Sequence, residues 1–272
     1  MSSPTPRERA RPALLQQVFN LRRGELAPVI IASLFFFFIL TALMLLRPAR
    51  DALGMQRGIE SIRWLFIGTA VATLLVNPVF GWLVSRFRRL HFISATYAFF
   101  ALSLIGFWAL LVLAPQAVGE RSGQVFYVWF SVFNLFVTMV FWALLADRFS
   151  SEQSKRLFAL IAVGGTLGAI FGPWLTSQLA EPLGTPSLLL VAAAFLGLGI
   201  VSAWLLVLIQ PDRERWRSSA TDTAPAAQVP QEHERIGGSP WAGIRAVVSS
   251  PYLMGIAGYV VLMAIMATFI YF

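Results

Sequence analysis

The sequence contains no cysteine, only two histidines, and few charged residues of either sign. The missing cysteines exclude disulfides, thiolate metal sites and thiol nucleophiles. His91 and His233 are the only imidazoles, and His233 lies in a polar stretch, so neither a hydrolase triad nor a histidine-rich metal site is expected. Charged residues make up 12% of the chain, against about 25% in an ordinary soluble domain. What is abundant is apolar: 57% of the 272 residues are hydrophobic, including 23 Phe and 9 Trp. That is more apolar surface than soluble cores of this size hide, so a bilayer is expected to solvate part of it.

Seven runs carry no charge: Leu26 to Leu46, Trp64 to Ser85, Phe92 to Gly119, Ser122 to Ala146, Leu157 to Ala180, Pro182 to Pro211 and Ala246 to Phe272. A spanning helix needs about 20 apolar residues. The runs therefore predict an all-α polytopic membrane protein, with helices near 26–46, 63–84, 92–114, 124–146, 157–180, 187–209 and 252–272. Their continuous apolarity excludes a β-barrel, whose strands alternate. The first run is too long for a secretory signal and lacks a small-residue cleavage site, so it reads as a retained span.

Sixteen of the 21 Lys and Arg residues fall on one side of this arrangement: in the N-terminal tail, around Arg86, around Arg148 and between residues 210 and 245. The positive-inside rule makes that side cytoplasmic. The net charge of +8 is then a topology signal rather than a nucleic-acid footprint. The expected organisation is a cytoplasmic tail (1–25), a six-helix bundle (26–209), a cytoplasmic linker (210–245) and the first helix of an incomplete second bundle (246–272). Six helices, an inside linker and the start of another bundle form the layout of major facilitator-like transporters built from two six-helix halves. The run ending at Phe272 has no polar flank, so a missing C-terminal half is expected.

Three segments carry charge at helix ends. Arg47, Arg50 and Asp51 follow the first run at i, i+3, i+4 spacing, so a helix continuing through Pro48 puts them on one face. They read as either interfacial snorkelling groups or a cavity-lining cluster for an anion, and four arginines on the outer side, against the positive-inside rule, favour the cavity. The 81–89 segment, GWLVSRFRR, resembles the facilitator-superfamily loop signature G-x-L-A-D-R-x-G-R-R, with Ser85 in place of Asp. Arg86, Arg88 and Arg89 are then a cytoplasmic latch, with Asp147 as the expected partner, or else a plain topology determinant. In the 147–156 segment Glu152 is four residues from both Arg148 and Arg156, which predicts pairing within a short helix that also carries Lys155.

Gly164, Gly168 and Gly172 recur every fourth residue before Pro173, stripping one helix face for close packing or for sliding against another helix. Asn134 and Asn77 are polar groups inside spans, each a candidate for bonding a neighbouring helix or, in the case of Asn134, a substrate.

The 45–53 segment, LLRPARDAL, resembles the LR-x-x-KD-x-L signature of the nucleotide transporters of intracellular bacteria and plastids, the ATP/ADP translocases. FWALLADRF..E..KRLF resembles that family's FW...AN...E-x-KRF...G block. The resemblance spans roughly residues 26–180. It implies a facilitator-like fold and nucleotide antiport across an inner membrane, with ATP or ADP as the anionic solute and no cofactor. Arg47 and Asp51 match the first signature, with Arg50 at its lysine; Glu152, Lys155 and Arg156 match the second. The competing readings are a proton-coupled exporter of lipophilic compounds, disfavoured because no Asp or Glu lies away from the span ends, and a non-transporting scaffold or subunit. No nucleophile, base and orienting group fall at a recognisable catalytic spacing.

The topology is open to direct measurement. A reporter fused at Arg217 is expected to face the cytoplasm and one fused at Gln116 the opposite side. The reverse pattern overturns the orientation.

Overall fold

A computed structural model describes residues 24–54, 59–86, 89–113, 120–209 and 247–271. The proposed latch residue Arg88, most of the N-terminal tail and the 210–245 linker lie outside the described residues, as do the side chains of Arg86 and Arg89.

Every described element of length is an α-helix: α1 Leu26–Gly54, α2 Ile59–Arg86, α3 Arg89–Leu113, α4 Glu120–Arg148, α5 Ser151–Ile209 and α6 Pro251–Tyr271. Each coincides with an uncharged run, because lipid offers the backbone no hydrogen-bond partners and a helix satisfies its polar groups internally. Helix α1 runs eight residues beyond the run that predicts it, through Pro48 to Gly54. The fifth and sixth runs form one helical trace interrupted only at Gly184, whose φ of 73° and ψ of 160° fall in a region essentially reserved for glycine. Pro182 and Pro186 flank that break, so α5 has a first arm (151–183) and a second arm (185–209).

The helices divide into two units. In the larger, which holds α1, the start of α2, α3, α4 and α5, α1 is the core element: Phe35, Ile39, Ala42, Leu43, Leu45 and Leu46 are fully or almost fully buried. Its closest partner is the first arm of α5. The two run parallel, with Ser33, Phe37, Thr41 and Leu45 opposite Gly164, Gly168, Gly172 and Thr176, at a constant offset of 131 residues. At the first three rungs an α1 carbonyl lies where a glycine Cβ would stand; on Gly172 that atom would be 2.9 Å from the Thr41 oxygen. Glycine is required here by backbone approach, which allows Cα–H···O contacts between helices. At the fourth rung the Thr176 hydroxyl donates to the Leu45 carbonyl at 3.0 Å, and near the first the Ser33 hydroxyl donates to the Leu160 carbonyl at 3.2 Å.

The other partners of α1 are antiparallel to it. Phe36 stacks on Phe141 of α4, ring centres 4.3 Å apart, while at the far end Gly54 lies against Tyr127. Phe38 and Phe35 meet Phe195 and Gly199 of the second arm of α5. Helix α3 is antiparallel to α4: Tyr97 is fully buried and donates to the Val137 carbonyl at 2.9 Å, and Phe107 packs edge-on to Phe126. A hydrogen bond of 2.9 Å from the Trp204 indole to Ser94 ties the second arm to α3. Within this unit α1, α3 and the first arm of α5 run one way, and α4 and the second arm of α5 the other.

The smaller unit holds residues 77–86 of α2 and helix α6. Helix α6 starts as its sequence dictates: Ser250 precedes Pro251 at the first helical position, and its carbonyl accepts the first turn's bond from Met254 at 2.9 Å.

The glycine ladder predicts an asymmetry between two mid-helix glycines of α5. Gly168→Ala drives a Cβ into the Phe37 carbonyl, whereas a Cβ on Gly197 meets nothing within 4 Å. Gly168→Ala is expected to destabilise by about 1–3 kcal/mol, visible as a lower melting temperature in detergent. Gly197→Ala should be neutral or stabilising.

Candidate functional site

Among the described residues, charged side chains of the larger unit lie at helix ends, because a bilayer-solvated middle makes an unpaired charge expensive. One end is formed by the last turns of α1 and the start of α4. Arg50 and Asp51 lie in consecutive positions of α1, and Asp51 Oδ1 accepts from both Arg50 Nε at 2.8 Å and Arg50 Nη2 at 2.5 Å. The Arg50 side chain is 16% exposed, and its guanidinium carbon lies 4.8 Å from the centre of the Tyr127 ring and 5.4 Å from that of Phe130. These rings, one turn apart on α4, hold the cation on their negative π faces and limit its approach by solvent. The antiparallel pairing of α1 and α4 puts them there, with Gly54 and Gly123 giving the backbone closeness: a Cβ on Gly54 would be 2.6 Å from the Tyr127 ring, and one on Gly123 would collide with the Leu53 carbonyl. Arg47, one turn before Arg50, is exposed. Asn134 is exposed too, two turns from Tyr127 along the same face of α4.

The opposite end joins the start of α1 to the α4–α5 turn. Ser150 and Gln153 form a reciprocal capping box: the Ser150 Oγ accepts from the Gln153 backbone at 3.1 Å, and Gln153 Oε1 accepts from the Ser150 backbone at 3.0 Å. The remaining Gln153 amide donates to Glu25 Oε1 at 3.1 Å, and Arg156 Nη2 donates to the same oxygen at 3.2 Å. Glu25 is buried and caps α1 through its carbonyl, which accepts from Val29 at 3.1 Å. Since α1 and α5 run parallel, their positive N-terminal poles lie side by side, and one carboxylate serves both.

The predicted pairing of Arg156 with Glu152 gives way to this longer-range contact. Glu25 is more sheltered than Glu152, which is exposed, and already lies at the helix poles. Lys155 is exposed, and Asp147 is half-buried at the end of α4. Pro173 is exposed beside the glycine ladder, whose members face α1 rather than a ligand.

Glu25, Gln153, Tyr127 and Phe130 are site neighbours that the sequence does not single out. The Ser150-x-x-Gln153 spacing is a legible cap, but its link to Glu25 crosses 128 residues, and nothing local marks Tyr127 and Phe130 as neighbours of Arg50.

A groove of about 580 Å³ lies at neither cluster. It follows the first halves of α1 and α5, between Leu26, Ile30, Leu34, Leu160, Val163 and Leu167, with Ser33 as its one polar side chain. Such a lining suits acyl chains or another apolar helix and offers an anion nothing. Among the described residues no group of acidic, histidine or cysteine side chains is arranged to hold a metal.

The Major Facilitator Superfamily model matches residues 26–272, and the chain belongs to that superfamily. No curated protein and no solved structure matches it. The chain is therefore a multi-pass membrane protein of a secondary-transporter superfamily whose members are generally not enzymes.

The Glu25 junction is tested by a double-mutant cycle. Glu25→Gln and Arg156→Gln are each expected to lower thermal stability in detergent. The pair should show a coupling of about 1 kcal/mol, because both groups are mostly shielded from solvent. Additive losses would mean that the contact contributes nothing.

Proposed function

We propose that this transporter exchanges a small anionic, phosphate-bearing solute, a nucleotide such as ATP or ADP being the candidate, and that Arg50 is its principal contact, with Arg47 and Asn134 alongside. One observation carries the reading. The Arg50–Asp51 bond joins chain neighbours on one helix, so it ties no two elements together. The Glu25–Arg156 bond, by contrast, connects residues 131 apart. A half-buried guanidinium whose ion pair is with its own chain neighbour, set at the end of a spanning helix on aromatic rings, has the attributes of an anion receptor. Arginine also offers phosphate a planar fork.

The resemblance of the 45–53 and 141–158 segments to the ATP/ADP translocases supports the nucleotide. On this reading the start of α1, the α4–α5 turn with Glu152, Lys155 and Arg156, and the arginines at 86–89 with Asp147 form the cytoplasmic gate. Residues 1–25 and 210–245 are cytoplasmic, residues 26–209 form the first bundle, and 246–272 begin the second. The membrane is the cell's inner membrane.

An exporter of lipophilic compounds is the second reading, favoured by the apolar groove along α1 and α5. Against it, every carboxylate in the predicted spans stands at a span end, whereas proton coupling calls for an embedded one.

Exchange of labelled ATP, ADP and inorganic phosphate by protein reconstituted in liposomes decides the matter. Arg50→Ala is expected to abolish exchange without lowering membrane insertion, and Arg50→Lys to retain part of it. Glu181→Ala, an exposed change beside the Gly184 break, should do little. Equal exchange by wild type and Arg50→Ala removes Arg50 from the site. Absence of exchange together with efflux of lipophilic dyes moves the protein to the exporter class.

A further inference from the structure

The geometry points to Asp51 as a tethered rival of the substrate, a carboxylate that occupies Arg50 between transport events and sets how tightly an oxyanion is held. The inference rests on the reading of Arg50 as the anion contact and adds a role for its neighbour.

Three features of the site lead to it. First, both Arg50 Nε and Arg50 Nη2 donate to a single Asp51 oxygen, which uses the side-on edge of the guanidinium. Among the described residues Arg50 Nη1 donates to no protein acceptor, so the end-on edge is open. Secondly, the guanidinium carbon lies over the Tyr127 and Phe130 rings of α4, 4.8 and 5.4 Å from their centres, so these rings take up part of its surroundings. The open edge suits a two-oxygen group such as phosphate, which meets a guanidinium in its plane. An oxyanion at the open edge either shares the guanidinium with a carboxylate of like charge or displaces it, and both outcomes weaken its binding.

Thirdly, Asp51 is misplaced for any service to α1 itself. It stands in the helix's last turn, three residues from the Gly54 terminus, where the negative pole disfavours an acid. Nor does it fasten α1 to a neighbour, since its bond to Arg50 is internal to the helix. Its remaining effect is to neutralise Arg50, which would otherwise be left half-buried and unpaired. A transporter gains from this arrangement: the empty site stays stable, and the bound anion meets a competitor at hand when it must leave.

The arithmetic follows from occupancy. If the pair is closed about nine-tenths of the time, apparent affinity is reduced roughly tenfold below that of a free Arg50. Removing the rival returns the factor to binding and takes it from the dissociation rate.

The test measures equilibrium binding of labelled ATP, pyrophosphate and inorganic phosphate to purified protein in nanodiscs of zwitterionic lipid, and exchange rates in liposomes. Asp51→Asn is expected to bind the probes roughly tenfold more tightly and to exchange them more slowly. Asp51→Ser should behave alike and guards against a folding defect peculiar to one variant. Asp51→Glu, which keeps the carboxylate, should stay near wild type, and Arg50→Ala with Asp51→Asn should bind nothing. A purely structural Asp51 would lower exchange without tightening binding. Arg50-dependent binding that is unchanged or weaker in both neutral variants overturns the rival and leaves the anion reading standing. Failure of wild type and both neutral variants to bind any probe overturns the anion reading and the rival with it.

Discussion

The parallel contact between α1 and the first arm of α5 is the constraint on which the rest of the larger unit depends. Four rungs at one offset, three of them backbone carbonyl against glycine, bring two helices closer than side-chain packing allows. In lipid the hydrophobic effect does not drive helices together, and small residues with interhelical hydrogen bonds supply the association instead. Parallel packing has an electrostatic consequence, since like helix poles are set side by side at each end. At the N-terminal end the conflict is met by Glu25, whose carboxylate binds Gln153 and Arg156 and lies at the poles of both helices. The capping box of Ser150 and Gln153 fixes the geometry from which Gln153 reaches it.

The same contact settles what covers the rest of α1. With one face given to glycines, the others are left for α4 and the second arm of α5, both antiparallel and both supplying aromatic rings: Phe141 on Phe36, Phe195 near Phe38. Antiparallel pairing with α4 carries the last turn of α1 to the first turns of α4, which is how Arg50 comes to lie on Tyr127 and Phe130. The position of that guanidinium is thus inherited from packing near the opposite end of the helix. The ladder sets Gly164, Gly168 and Gly172 against the α1 backbone, where an added Cβ would meet carbonyl oxygens.

The helices were legible because their signal is local: an uncharged run of bilayer length has few other physical solutions. Gly164, Gly168 and Gly172 announced a close approach but not its partner, as the spacing describes one helix only. Arg50 and Asp51 were visible as charges where apolarity ends, and their pairing follows from adjacency. Arg156 shows where local reasoning fails. Its i−4 neighbour Glu152 was the economical partner, yet the observed contact is to Glu25 at the other end of the bundle's chain order, made available only when α1 and α5 start together. Tyr127 and Phe130 were hidden for the same reason, and among 23 Phe and 5 Tyr no composition argument distinguishes them.

The two ends of the unit use the same chemistry, an arginine on a carboxylate, in opposite ways. Glu25 and Arg156 come from different helices, have Gln153 as a third member, and bond across an interface. Breaking that contact separates elements. Arg50 and Asp51 come from one helix and bond within a single turn, so opening their contact separates nothing and costs only the pairing itself. A bond that can open without unfolding anything is what a transport cycle needs at the point where a solute is taken and released. A bond that cannot is what it needs where helices must stay together. On the proposed reading this difference in connectivity, more than the charges themselves, places the solute at the Arg50 end, while Glu25 and Arg156 keep α1 and α5 together within the cytoplasmic end.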